Sequence, residues 1–283
     1  MKVALVGADG QLGTDIIWTK PEGVELIPLT INELDIKDRD KTWSVIGEIE
    51  PDLVINTAAY VRVDDAEDNA EEAFKVNAIG AKNLAEACRE IESIMLHIST
   101  DYVFDGKKVS EPYSEVDVPN PINVYGLSKY AGDLFVQNYT EQHCILRTAS
   151  LYGKAGAYGK GGNFVYTILD KAKRGETLRV VDDIQMSPTY ALDLAKEIWS
   201  LTSSRNASGI YHITNSGFCS WYEFTKKILE FSKIEAEIIP VSHREYKTKA
   251  RRPQWTPLMS VKGLKLRNWE SALEDFMEEV VKE

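Results

Sequence analysis

The chain opens with Lys2-Val3-Ala4-Leu5-Val6-Gly7-Ala8-Asp9-Gly10-Gln11-Leu12-Gly13. Val3–Val6 runs without polar interruption, as a strand covered on both faces does. Gly7, Gly10 and Gly13 follow at once as G-x-x-G-x-x-G, between that strand and the start of a helix. Glycine there lets the backbone turn sharply and brings a helix N-terminus, with its free N–H groups and positive dipole end, close to a phosphate. A glycine triplet alone is ordinary turn chemistry. At residue 7, between strand and helix, it predicts a dinucleotide site made by Gly7, Gly10, Gln11, Leu12 and Gly13.

Working outward, short aliphatic runs recur at Val24–Pro28, Leu53–Ile55, Ile94–Ile98 and Cys144–Leu146, with helix-like stretches at Ala66–Glu90 and Ser128–Glu141. Repeated strand–helix units of this length predict an α/β fold, a Rossmann-type doubly wound parallel sheet covered by helices on both faces. After Tyr152 the rhythm loosens. Gly153, Gly156, Gly159, Gly161 and Gly162 mark a connection, and helices are expected at Asn163–Arg174, Ala191–Leu201, Trp221–Phe231 and Trp269–Lys282, with a strand at Gly209–Ile213. The expected division is an NAD(P)-binding domain over 1–150, rejoined by about 178–203, and a smaller C-terminal α/β substrate-binding portion over 151–283.

Composition narrows the function. Of 283 residues, 43% are hydrophobic and 27% charged, ordinary for a globular chain. The formal net charge of -11 argues against nucleic acid as a partner, since a polyanion needs an opposite surface. One segment, His243–Pro253, reverses the sign: Arg244, Lys247, Lys249, Arg251 and Arg252 outnumber Glu245, which suits a small, multiply charged anion as well as a solvated loop. No apolar run approaches the ~18 residues of a membrane span, and Val3–Val6 is too short for a secretory core. A cytoplasmic protein without a membrane partner is expected. Cys88, Cys144 and Cys219 are odd in number and lack a CxxC, so they read as buried apolar residues rather than disulfides or zinc ligands.

The second strand ends Leu29-Thr30-Ile31-Asn32, with no carboxylate before Glu33 and no arginine nearby. An acid there would bind the ribose hydroxyls and repel a 2′-phosphate. Its absence favours NADPH, with NADH tolerated. Asp35-Ile36 suits the adenine edge, or a plain helix entry.

Tyr125 and Lys129 lie one helical turn apart, so they share a face. In ketone reduction the developing alkoxide needs a proton, and a phenol of pKa about 10 supplies it best beside a cation. Thr100 ends the fourth strand, at the carboxyl edge where ligands bind, and can donate to the substrate carbonyl as charge grows. A second Y-x-x-x-K, Tyr222 and Lys226, lacks this context and reads as helix packing.

With these residues in view, four stretches resemble the dTDP-4-dehydrorhamnose reductase family, a branch of the extended short-chain dehydrogenases/reductases. They are residues 7–13 (GADGQLG), 56–60 (NTAAY), 99–106 (STDYVFDG) and 123–129 (NVYGLSK). Later matches fall at Arg147-Thr148, Asn163-Phe164, Ser187-Pro188-Thr189 and Arg252-Pro253. The resemblance implies reduction of dTDP-4-dehydro-L-rhamnose to dTDP-L-rhamnose, in the dTDP-rhamnose pathway, with a homodimer as the default. It implies Thr100, Tyr125 and Lys129 as catalytic residues, Ala58, Ala59, Tyr60 and Asn77 as further cofactor contacts, and Tyr102, Asn163 and Arg252 near the nucleotide sugar. The basic segment would then meet a diphosphate.

Some positions depart from the family pattern. Ser150 stands where tryptophan is common, Ile184 and Met186 replace glutamine and glycine, and Trp255-Thr256 replaces Asn-Ser. These changes touch the sugar rather than the redox machinery. Some relatives bind Mg2+ through acids near a dimer contact. Asp15 matches one, but Leu192 stands where another is expected, so no required metal is predicted. Two competitors remain. A sibling epimerase or dehydratase shares the glycines and the Tyr/Lys pair, though dehydratases place an acid where Tyr102 stands. A non-catalytic subunit resembling the methionine adenosyltransferase β subunit would not require Thr100, Tyr125 and Lys129 together.

Overall fold

The structure, a computed structural model, describes residues 1–156, 162–203 and 208–281. The first portion runs β1 (Lys2–Val6), α1 (Gln11–Trp18), β2 (Glu25–Leu29), α2 (Arg39–Ile49), β3 (Leu53–Asn56), α3 (Val63–Ala66), α4 (Ala70–Phe74), a π-helical turn (Lys75–Gly80), α5 (Ala81–Glu90), β4 (Ile94–Thr100), α6 (Val124–Tyr139) and β5 (His143–Thr148). The second adds β6 (Leu151–Tyr152), α7 (Phe164–Lys173), β7 (Leu178–Val181), β8 (Gln185–Met186), β9 (Thr189–Tyr190), α8 (Ala191–Ser203), β10 (Gly209–His212), β11 (Cys219–Ser220), α9 (Trp221–Ser232), β12 (Ile238–Val241) and α10 (Trp269–Val281). Gly159, Gly161 and Lys282 lie outside the described residues.

Six strands form one parallel sheet in the order β2-β1-β3-β4-β5-β10. Side chains alternate across it. Val3, Leu5, Leu53, Ile55 and Leu96 face Leu12 and Ile16 of α1 and Leu194, Ile198 and Trp199 of α8. Ala4, Val6, Val54 and Met95 face Ile46 of α2, Leu84 and Cys88 of α5, and Val136 of α6. Burying a leucine or isoleucine side chain stabilises by about 1.5–3 kcal/mol, so both layers hold the strands firmly. This is the doubly wound fold expected from the aliphatic runs. The chain leaves β1 toward β2 on one side and returns to β3 on the other, and that reversal opens a crevice beyond the strands' carboxyl ends.

One expected element is different. The stretch Ala66–Glu90 is not a single helix but α4, the π-helical turn and α5, preceded by α3. The wider turn carries Asn77 and Gly80, and a Cβ on Gly80 would lie 2.5 Å from Ile36. Close packing against the loop after β2 thus decides the local winding over an Ala/Glu/Lys-rich sequence that favours a regular helix.

Beyond β5 the chain builds a second core around Tyr152, Tyr190, Phe224, Trp269 and Phe276. The Tyr152 and Tyr190 rings stack with centroids 5.6 Å apart. β7, within the stretch expected to rejoin the sheet, pairs with β12 instead, whereas α8 packs on the sheet and β10 extends it beside β5. Ser220 caps α9 through a reciprocal pair with Glu223. All three cysteines are free and buried.

Candidate functional site

A cleft of about 1020 Å³ lies between the carboxyl ends of the strands and the second core. Every site residue singled out from the sequence lines it except Gly13 and Asn77. Tyr222 and Lys226 do not line it; Lys226 Nζ lies 5.8 Å from the Tyr222 ring centroid on α9.

The glycine turn shows why those residues are needed. Gly7 has φ +79°, and a Cβ there would lie 2.7 Å from Ala58 N. A Cβ on Gly13 would lie 2.4 Å from the Gly7 carbonyl oxygen, so Gly13 serves strand–helix packing and not the cleft itself. α1 starts with Gly10 as its N-cap, with no side-chain cap and no acid in its first turn. Its open N-terminus suits a diphosphate, and the residues present fit a dinucleotide.

Asn77 is buried behind the cleft wall. Its Oδ1 accepts from Tyr60 N at 2.8 Å, and its Nδ2 donates to Tyr60 O at 3.1 Å and Ser128 Oγ at 2.9 Å. It therefore shapes the Ala58–Tyr60 loop and does not itself line the cleft. At the β2 end, Asp35 and Ile36 face the cleft, and Glu33 folds back to accept from Thr30 N at 2.9 Å. Two cations that sequence reasoning missed, Lys37 and Arg62, also line this cleft. Lys37 pairs with Glu72 at 2.7 Å and Arg62 with Asp65 at 3.3 Å. Arg62 follows β3, so a search for an arginine along β2 could not find it.

α6 begins earlier than expected, at Val124, because Asn123 caps it: Oδ1 accepts from Gly126 N at 2.8 Å. A Cβ on Gly126 would lie 2.2 Å from the Tyr102 carbonyl oxygen, so this glycine lets the turn after β4 rest directly on the helix. The Tyr102 and Tyr125 rings then meet edge to face at 5.9 Å. Thr100 Oγ donates to Asp101 Oδ1 at 3.1 Å and accepts from Tyr102 N at 3.2 Å.

Electrostatics separate the groups. Burial pushes the Tyr125 phenol well above its usual range, opposed by a hydrogen bond with the Thr100 side chain. Burial brings Lys129 down to about 8, opposed by the Asp133 carboxylate. Lys129 Nζ donates to Ile98 O at 2.7 Å. Burial also raises Asp101 to about 6, opposed by hydrogen bonds from Thr256 and Thr100. Asp101 lines the cleft and was not anticipated.

Arg252 Nη1 donates to Tyr102 OH at 3.1 Å and Nη2 to Asp64 Oδ2 at 2.7 Å. Arg252 also borders a neighbouring cavity of about 550 Å³, lined by Lys107, Arg244, Lys247, Lys249 and Arg251. Asn163 caps α7 and spends both amide hydrogens on Gln11 Oε1 at 3.2 Å and Gly153 O at 2.8 Å. It bridges the two portions at the α1 N-terminus.

The departures from the family pattern fall in different places. Ser150 lines the cleft with φ 45°, while Ile184 lines the basic cavity. Met186 is buried. Trp255 packs on Phe218 at 5.1 Å and donates to Glu111 O at 2.8 Å. An apolar wall comes instead from Phe164 and Trp221, rings 4.5 Å apart, both lining the cleft. Asp15 is buried, raised to about 6 by burial and then by Glu279, with Lys154 opposing. Among the described residues no cluster of three or more His, Cys, Asp or Glu is arranged to hold a metal, and no helix is long and apolar enough to cross a membrane.

Residues 1–282 match the model of the RmlD substrate binding domain family. The spore coat polysaccharide biosynthesis protein SpsK of Bacillus subtilis is 39% identical, with 98% of this chain and 97% of that protein covered. The dTDP-4-dehydrorhamnose reductase of Sinorhizobium fredii is 36% identical, covering 96% and 95%. Among solved structures, dTDP-4-dehydrorhamnose reductase from Bacillus anthracis in complex with NADP superposes with TM-score 0.93 at 39% identity, covering 98% and 99%. With the glycine turn, Thr100, Tyr125 and Lys129 gathered in one cleft, the chain belongs to the dTDP-4-dehydrorhamnose reductase family of NAD(P)H-dependent oxidoreductases.

Proposed function

We propose that this chain reduces the C4 keto group of a nucleotide-linked deoxysugar, with dTDP-4-dehydro-L-rhamnose as substrate, dTDP-L-rhamnose as product and NADPH as reductant. The observation that carries this reading is the meeting of Tyr125, Lys129 and Thr100 with the Gly7–Gly10 turn in one cleft that Arg252 also lines. The bound cofactor supplies a hydride to the carbonyl carbon. Tyr125, holding its proton firmly at neutral pH, gives that proton to the carbonyl oxygen as it becomes a hydroxyl. Lys129, brought near neutrality by burial, is placed to return a proton. Thr100 orients the phenol and, once its hydroxyl turns from Asp101, donates to the same oxygen. Arg252 and the basic cavity beside it face the diphosphate. Lys37 and Arg62 favour the extra 2′-phosphate of NADPH. The first portion, with α8 and β10, carries the cofactor; the second carries the nucleotide sugar.

The test mixes purified protein, NADPH and a panel of nucleotide keto-sugars, with products identified by mass. Stoichiometric loss of reduced-nicotinamide absorbance with a product two hydrogens heavier supports reduction. Unchanged absorbance with an isomerised or dehydrated sugar would establish a sibling activity instead. The panel matters because SpsK serves spore coat polysaccharide synthesis and Ser150 borders the cleft.

A further inference from the structure

We infer, resting on the reductase reading of Tyr125 and Lys129, that His97 is a positioning residue: its imidazole stands between Lys129 and Asp133 and keeps the lysine from turning away from the cleft onto that carboxylate. Lys129 and Asp133 lie one turn apart on α6 and are buried, 2% and 0% exposed. Opposite charges at this spacing attract, and far more strongly inside a protein than in water. Among the described residues, however, no ion pair joins them. Asp133 Oδ2 takes Arg147 Nε at 3.2 Å, and the Ser99 hydroxyl lies beside the carboxyl, though Oδ1 makes no hydrogen bond of ordinary geometry. Lys129 Nζ goes to Ile98 O at 2.7 Å instead. His97 Nε2 fills the gap, 3.4 Å from Lys129 Nζ and 3.9 Å from Asp133 Oδ1.

Neighbouring bonds fix which imidazole nitrogen carries the proton. Asn56 Oδ1 accepts from Ala58 N at 3.1 Å, which sets the orientation of the Asn56 amide. Its Nδ2 then faces His97 Nδ1 at 3.1 Å. Nδ1 has to accept, so the ring proton sits on Nε2. Burial, and then the Lys129 charge, keep the ring neutral. The Nε2–H offers Lys129 no acceptor and aims a donor toward Asp133. The ammonium hydrogens are left for the Ile98 carbonyl and the cleft. Ala58 lines that cleft, so a chain of bonds ties its loop to the imidazole that stands beside the lysine. The charged and titratable groups around Lys129 are His97 on β4, Tyr125 and Asp133 on α6, and Arg147 on β5 behind Asp133.

Two variants separate positioning from mere packing. The amide of His97→Asn ends at the level of Nδ1, keeping Asn56 but emptying the gap; that of His97→Gln reaches the level of Nε2. With NADPH and a keto-sugar that the wild type turns over, His97→Asn should lose about tenfold or more in kcat. Its high-pH limb should rise by about one unit as Lys129 pairs with Asp133. His97→Gln should stay within about threefold of wild type. Equal losses in both variants, or none in His97→Asn, would overturn the role. Should neither variant fold, ring ¹⁵N shifts of His97 in the wild type decide it: a neutral Nε2–H ring across about pH 6–9 is expected, and an Nδ1–H or charged ring refutes it. A wild type that turns over no keto-sugar would count against the reductase reading, while the ring measurement still tests the wedge.

Discussion

A methyl group on Gly132 would lie 2.2 Å from the Asn77 carbonyl oxygen, so α6 and the π-helical turn meet backbone to backbone. That contact lets the Asn77 side chain reach Ser128 on α6 and Tyr60 in the loop after β3 at once. Gly132→Ala should force the two apart and cost about 1–3 kcal/mol of stability. NADPH affinity should fall along with it, because the Tyr60 loop loses its clip. Thermal melts and a fluorescence titration with NADPH check both. Unchanged affinity in a destabilised variant would uncouple the contact from the cofactor loop.

The aliphatic runs and the glycine turn were legible in the sequence because a parallel sheet buried on both faces leaves uninterrupted apolar stretches at regular intervals. The π-helical turn was not, since its cause is Gly80 against Ile36 and Gly132 against Asn77, contacts with partners far off in the chain. That Tyr125, Lys129 and Thr100 would share one cleft was readable from spacing and position. Asp101, His97 and Arg62 were not: their surroundings are built by β3, β4, β5 and the turn after β3 together, and no local pattern carries that. Asn163 shows the converse, a motif residue whose amide hydrogens are both spent within the protein.

Tyr125→Phe removes the proposed proton donor but keeps the ring that meets Tyr102. Turnover should fall by about 10²–10⁴-fold, the usual worth of a general acid. NADPH affinity should change by less than about threefold, which isolates the loss in the chemical step. A variant with near-normal kcat would remove Tyr125 from its role.

Asp101→Asn tests the buried carboxyl. Its pKa rises from 3.8 to about 6 on folding. The folded state therefore holds that proton more tightly than the unfolded chain, an advantage complete below about pH 4 and lost as pH rises through about 6. Two pKa units correspond to about 3 kcal/mol. An amide does not titrate, so the variant's stability relative to wild type should increase from about pH 4 to about pH 7 by up to that amount. Denaturant unfolding at several pH values measures it, and a constant offset would show that Asp101 is charged in the fold.

Arg252 is the one basic-segment residue that borders both the main cleft and the cationic cavity, and its guanidinium is held by Tyr102 and Asp64. A charge so placed meets a diphosphate equally in ground and transition states, which lowers KM without raising kcat. Arg252→Gln should therefore raise KM for the nucleotide sugar by about 10–100-fold with kcat within a few-fold. Arg252→Lys should recover only part of this, because an ammonium cannot hold Tyr102, Asp64 and a phosphate with one planar fork. KM for NADPH should not move, since on the proposed reading the cofactor's diphosphate meets the open α1 N-terminus instead. Added salt should raise the sugar-nucleotide KM more in wild type than in Arg252→Gln. If kcat falls and both KM values hold, Arg252 orients the reacting sugar through Tyr102 and does not bind the diphosphate.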